Sequence, residues 1–113
     1  MEARAVLKYA KISPRKTRQV VDLVRGKAVD EALNILQFTP KKAARIVEKT
    51  LRSAVANALN REEDAANEED LFVKEAFVDG GIAFKRIRPM PRGAAGHILK
   101  RMSHITLVVS DET

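Results

Sequence analysis

Between Gly80 and Ser110 the chain runs 31 residues without a carboxylate, and that stretch carries the pattern of an unusually long β-hairpin. After Asp70 the sequence turns β-rich, with Leu71, Phe72, Val73, Phe77, Val78, Ile82, Phe84 and Ile87 among polar neighbours. A second such run extends from Ile98 to Val109, and Pro89-Met90-Pro91-Arg92-Gly93-Ala94-Ala95-Gly96 lies between them. Two strand-like runs around a Pro/Gly turn predict a hairpin. The nine residues from Ile82 to Met90 give an arm of about 30 Å at ~3.3 Å per residue. Its cations are Lys85, Arg86 and Arg88 on the outgoing strand, Arg92 in the turn, and Lys100 and Arg101 on the return. An isolated two-stranded hairpin is marginal in water, so a basic arm without apolar cover calls for an anionic partner. At the tip, the small residues Gly93, Ala94, Ala95 and Gly96 let backbone approach a surface and leave amides free for phosphate. A solvated hairpin with protective edge charges is the competing reading. Six basic residues and no acid suit that reading poorly.

The charge of the whole chain is divided in the same sense. Residues 1–61 hold 14 basic and 5 acidic side chains, residues 62–79 hold 8 acidic and one basic, and residues 80–113 hold 6 basic and 2 acidic. The net charge is +6. Such a partition suits a polyanion partner on some faces and solvent on another. The runs Glu62-Glu63-Asp64 and Glu68-Glu69-Asp70 read as a solvated acidic loop; a calcium loop needs a mid-loop glycine, and there is none from Glu62 up to Gly80. Cysteine is absent, which excludes disulfides and thiolate zinc sites. His97 and His104 have no carboxylate neighbours in sequence, so neither a metal nor a cofactor is expected. No apolar run is long enough to span a membrane, and Met1-Glu2-Ala3-Arg4 lacks the apolar stretch of a signal peptide. The length, 113 residues, predicts one domain, residues 1–113, with 82–101 as its arm.

Ahead of the arm, a short strand is expected from Ala3 to Tyr9, followed by three helices. Ser13-Pro14 is a helix start, with a hydroxyl to cap a first-turn amide and proline at the first helical position. Val20, Leu23 and Val24 form its apolar stripe, Val21 lies at the edge, and Gly26 is the stop. A second helix is predicted over Val29 to Phe38, buried through Ala32, Leu33 and Leu36. A third runs from Pro40 to about Arg61, with Ala43, Val47, Leu51, Ala54 and Ala58 on a wide apolar face. So many alanines imply close packing against another element.

A second basic cluster, Lys11, Arg15, Lys16 and Arg18, surrounds the first helix start. Cations there oppose the helix dipole, and a local conflict of this kind marks a binding surface. Lys41, Arg45, Lys49 and Arg52 recur at helical spacing on the third helix, interrupted by Glu48. Base stacking requires exposed aromatics; Tyr9, Phe38, Phe72, Phe77 and Phe84 are available, and most are expected in the core. The first two helices imitate a helix-turn-helix, but the second carries Asp30, Glu31, Asn34 and Gln37 and no Arg or Lys. Recognition of folded RNA by shape and phosphate fits better than a DNA-binding regulator. A phosphate-processing enzyme would need an arranged base or metal ligands.

Several segments are distinctive: Ile12-Ser13-Pro14-Arg15-Lys16-Thr17-Arg18, Val24-Arg25-Gly26-Lys27-Ala28, Ala54-Val55-Ala56-Asn57-Ala58, Phe84 to Gly93, and Ile98 to Thr106. In these the chain closely resembles the bacterial large-subunit ribosomal protein twenty-two family, in order and over essentially its full length. The resemblance implies an α+β fold, three helices packed on a small three-stranded antiparallel sheet with a long protruding hairpin. It implies a non-enzymatic structural constituent of the large ribosomal subunit that binds 23S-type rRNA and supports early subunit assembly. The family's hairpin lines the nascent-peptide exit tunnel near the macrolide site. Carried over, Lys11, Ser13, Arg15, Lys16 and Arg18 would anchor the globular part on rRNA. Lys85, Arg86, Arg88, Arg92, Lys100 and Arg101 would contact rRNA along the arm, and Pro89, Met90, Pro91, Gly93, Ala94, Ala95 and Gly96 would form the tip. The implied partners are rRNA, neighbouring ribosomal proteins and the nascent peptide. The implied setting is cytoplasmic, without membrane, and the protein a monomer outside the ribosome.

Overall fold

The elements follow one another as β1 (Glu2–Ala10), α1 (Pro14–Val24), α2 (Val29–Phe38), α3 (Lys42–Leu59), β2 (Phe72–Pro89) and β3 (Ala95–Ser110), with a 3-10 turn at Glu68–Asp70. The computed structural model describes residues 1–61, 67–89 and 95–112, and for 81–89 and 95–100 it describes the backbone alone. The sheet is antiparallel in the order β1-β3-β2, so the last strand is central and the fold is α+β as expected. Central position explains why the body half of β3 is so deeply buried: Ile105, Leu107 and Val109 are fully buried. Leu107 lies between Ala5 and Ala76, a large side chain flanked by two small ones.

The helices close over these residues. Ala43, Val47, Leu51, Ala54 and Ala58 are buried along α3, as expected from its pattern. Ala43, Ala54 and Ala58 let it lie close to its neighbours. On α1 the buried set is Thr17, Val20, Val21 and Val24. Val21 is therefore core, while Leu23 is 45% exposed, contrary to the stripe expected from sequence. Thr17 sets that phase. Its hydroxyl donates to the Ser13 carbonyl at 3.0 Å, so a polar residue sits in the core without an unsatisfied group. On α2, Val29, Ala32 and Leu36 are buried and Leu33 is half-buried.

Two turns join helices to sheet. Ser13 caps α1, its Oγ accepting from the Lys16 N–H at 3.4 Å. Gly26, at φ +79°, follows the end of α1, and its N–H donates to the Val73 carbonyl at 2.9 Å. That left-handed conformation is open to glycine at little cost.

Side chains from the helices also meet both outer edges of the sheet. Arg18 donates from Nε and Nη2 to the Val78 carbonyl, at 3.1 and 2.9 Å, and Arg25 likewise meets the Ala76 carbonyl. On β1, Asn57 donates to the Arg4 carbonyl and Arg61 to the Glu2 carbonyl. Unpaired edge groups invite strand addition, and these contacts cover them.

The arm leaves the body where β1 stops. Ala10 pairs with Ser103, and beyond it β2 and β3 continue as a ladder from Ala83↔Arg101 to Pro89↔Ala95. A bulge between Gly80 and Ala83 marks the departure. Pro89, Ala95 and Gly96, expected in the turn, belong to the strands. The remaining tip residues Met90, Pro91, Arg92, Gly93 and Ala94 lie outside the described residues. The radius of gyration is 17.1 Å and the extents are 63 × 27 × 18 Å. A compact chain of this length would have a radius near 13 Å, so the arm projects rather than folding back.

Candidate nucleic-acid interface

The start of α1 is seated against the base of the arm. Ser103, fully buried on β3, donates through its hydroxyl to the Ile12 carbonyl at 2.6 Å. A Cβ added at Gly80 would lie 4.0 Å from Pro14 Cγ. These contacts place Lys11, Arg15 and Lys16 beside the point where two strands replace three. All three are exposed, and none has an ion pair or side-chain hydrogen bond among the described residues. Arg101 is exposed on the return strand, opposite Ala83. The side chains of Lys85, Arg86, Arg88 and Lys100 fall outside the described residues, and their backbones belong to the β2–β3 ladder.

Two members of the expected set have work inside the fold. Ser13 Oγ is the α1 cap. Arg18 has its guanidinium on the Val78 carbonyl, which leaves it a source of positive potential more than a free fork for phosphate.

The expected stripe on α3 is divided by Glu48. That carboxylate accepts from Arg52 at 3.0 Å and Arg45 at 3.2 Å. The Arg52 hydrogen bond first, and the Arg45 hydrogen bond with it, hold the Glu48 carboxyl below the usual carboxylate range. Arg45 and Arg52 therefore share one carboxylate, which cancels one of their two charges on the spot. Lys41 and Lys42 go the other way: with Lys16, Ile12, Gln19 and Ala43 they line one shallow depression between α1 and α3. Helical spacing in the sequence pointed to Lys41, Arg45, Lys49 and Arg52 as one row. The loop geometry instead joins Lys41 and Lys42 to the α1 cluster.

The acidic run that the structure describes sits elsewhere, and Asp79, opposite His104, is the carboxylate that register places near the base of the arm. Glu68–Asp70 precedes the start of β2, at the Phe72↔Ser110 end of the ladder, opposite the tip. The run Glu62-Glu63-Asp64 lies outside the described residues. Among the described residues no group of three or more His, Asp or Glu is placed to hold a metal, and no helix is long and apolar enough to cross a membrane.

Exposure of the aromatics departs from expectation. Tyr9 is 54%, Phe38 79% and Phe77 40% exposed. Most of the five aromatic rings are expected in the core, since aromatics in strands and helices are usually buried, yet three of them are exposed. Here β1 is an edge strand, Phe38 is the last residue of α2, and Phe77 pairs with Thr106 in the ladder. Thr106 is out of phase with the core-facing Ile105 and Leu107, which assigns Phe77 to the sheet face away from the helices.

An exposed cationic cluster at the root of a projecting arm, without ion pairs among the described residues, is a geometry for holding a polyanion. The profile of the ribosomal protein L22p/L17e family matches residues 5–110, nearly the whole chain. The chain belongs to this family. Curated bacterial relatives agree. A "Large ribosomal subunit protein uL22" of Halothermothrix orenii is 57% identical over 112 residues, covering 99% of this chain and 97% of the relative. That of Carboxydothermus hydrogenoformans is 54% identical, covering 98% and 96%. That of Syntrophobacter fumaroxidans is 54% identical, covering 99% and 100%. Membership of the L22p/L17e family makes the chain a ribosomal structural protein of the large subunit.

Proposed function

We propose that the chain, folding as one domain, binds large-subunit 23S-type rRNA without catalysis. In this reading it supports early subunit assembly and lines the nascent-peptide exit tunnel, near the macrolide site, with its hairpin. The observation that carries the reading is the cluster Lys11, Arg15 and Lys16, exposed and without ion pairs among the described residues, at the base of an arm whose sequence holds six cations and no acid. Lys85, Arg86, Arg88 and Arg92 contact rRNA toward the tip, Lys100 and Arg101 along the return, and Ser13 and Arg18 support the anchor on the body. Neighbouring ribosomal proteins and the nascent peptide are the remaining partners. Outside the ribosome the protein is a cytoplasmic monomer.

Each phosphate neutralised releases counterions, so binding weakens steeply with salt. Replacing Lys85, Arg86, Arg88 and Arg92 by alanine flattens that dependence toward folded large-subunit rRNA. An unchanged slope removes the arm from the interface, and a preference for duplex DNA in competition overturns the choice of RNA. A photo-crosslinker at position 90 reads the tunnel assignment directly, through rRNA or a stalled nascent chain.

A further inference from the structure

We propose that Tyr9 is a stacking perch for one unpaired nucleobase of the RNA. This rests on the RNA-binding reading above and adds to it a contact that is not ionic. Between Leu7↔Ile105 and Ala10↔Ser103, the two residues Lys8 and Tyr9 face the single residue His104, which is a β-bulge. Tyr9 adopts φ +60°, and it is the one non-glycine residue with positive φ among the described residues. That conformation is unfavourable for an L-residue with a bulky ring, and the surrounding contacts impose it. The Tyr9 N–H donates to His104 Nδ1 at 3.1 Å, which assigns the imidazole proton to Nε2. The two rings meet edge to face, with centroids 4.9 Å apart and planes at 82°.

The fold thus bends an edge strand to hold an aromatic ring outward when a regular ladder would have cost less. The ring is braced by His104 yet 54% exposed, so it is pre-positioned and open. Core packing does not account for it, because Tyr9 is absent from the buried cluster. Its surroundings favour an anionic chain carrying bases. Lys8 and Lys11 flank it, both exposed and without ion pairs among the described residues. The one carboxylate placed nearby by register is Asp79, opposite His104 on the β2 side. A backbone phosphate on the lysine side with its base on Tyr9 satisfies both features. Stacking on a π-face is tolerant of base identity, so the site selects an unpaired nucleotide and not a sequence.

The chain has one tyrosine and no tryptophan, so its intrinsic emission reports Tyr9 alone. The experiment titrates the full-length protein with purified large-subunit rRNA and, separately, with inorganic polyphosphate, which has charge but no bases. The expected result is quenching by rRNA and none by polyphosphate. Tyr9→Leu should bind rRNA about tenfold more weakly with the salt slope unchanged, and Tyr9→Phe should bind like the parent. Parent emission needs no variant, so misfolding of Tyr9→Leu leaves the test intact. Salt-dependent rRNA binding with unaltered emission overturns the perch and leaves the RNA reading standing. Equal quenching by polyphosphate also overturns the perch. Failure to bind rRNA at low salt overturns both.

Discussion

Replacing Lys11, Arg15 and Lys16 together by alanine separates a built anionic site from diffuse positive charge. The three side chains are exposed and free of carboxylates among the described residues, so each is available for one phosphate. Each contact contributes ~0.9 to the slope of log affinity against log salt on a duplex and ~0.7 on single strands. The triple variant should therefore lose about 2 to 3 of that slope. Between 50 and 200 mM salt it should surrender roughly 20-fold less affinity than the parent. Folding should not suffer: Arg15 and Lys16 occupy the first turn of α1, where cations oppose the dipole, so thermal stability should hold or rise slightly. The control is Arg45→Ala, Glu48→Ala and Arg52→Ala, which removes a self-neutralising cluster with one net positive charge, so its slope should change by less than ~1. Filter binding to folded large-subunit rRNA over a salt series reads both. A triple variant with the parental slope, or a control that falls as far, refutes the reasoning.

Removal of the α1 cap by Ser13→Ala should cost about 1 kcal/mol, read by thermal or urea unfolding. Gly26→Ala should cost about 1 kcal/mol, because φ is +79° although nothing lies within 4 Å of an added Cβ; the penalty there is conformational, not steric. Leu107→Ala should cost about 2–5 kcal/mol, since its cross-strand neighbours Ala5 and Ala76 are too small to fill the space. Glu48, whose carboxyl is held low by Arg52 and Arg45, contributes stability at neutral pH that disappears as pH falls below the ordinary carboxylate range. The difference in melting temperature between the parent and Glu48→Gln should accordingly be largest near neutrality and shrink in acid.

Local chemistry was legible in the sequence wherever one residue type has one use. Ser13-Pro14 starts α1, Gly26 ends it, and the alanines of α3 face the core. Helix phase was less so. A buried threonine looks polar until its hydroxyl is seen on the Ser13 carbonyl, and with Thr17 inside, Val21 displaces Leu23 from the core. Register was invisible, because a bulge depends on which residue stands opposite. The bend that turns Tyr9 outward is set by His104, 95 residues away. The same holds for the cations. Spacing along α3 grouped Lys41 with Arg45 and Arg52, whereas the fold pairs the arginines with Glu48 and gives Lys41 and Lys42 to the neighbourhood of Lys16.

Separation of charge follows from the same geometry and gives the arm its need for an external anion. Beyond Ala10 the sheet has two strands, and each has one side without a described neighbour in the ladder. On the body, Arg18 and Arg25 cover such an edge. On the arm, mutual repulsion between cations takes that role and discourages pairing with another copy. Repulsion protects the arm only while the chain's own acids stay away. Glu68–Asp70 sits before Phe72, and β2 then runs 18 residues to Pro89, a distance of about 55 Å at ~3.3 Å per residue. At physiological ionic strength charges are screened within about 8 Å. The acidic turn therefore cannot neutralise the outer arm from where it stands. Shortening β2 and β3 together by four residue pairs, from the segment between Ala83 and Pro89 and its partners, should leave body stability unchanged and lower the salt slope toward rRNA. A shortened arm that binds with the parental slope would show that the body alone carries the interface.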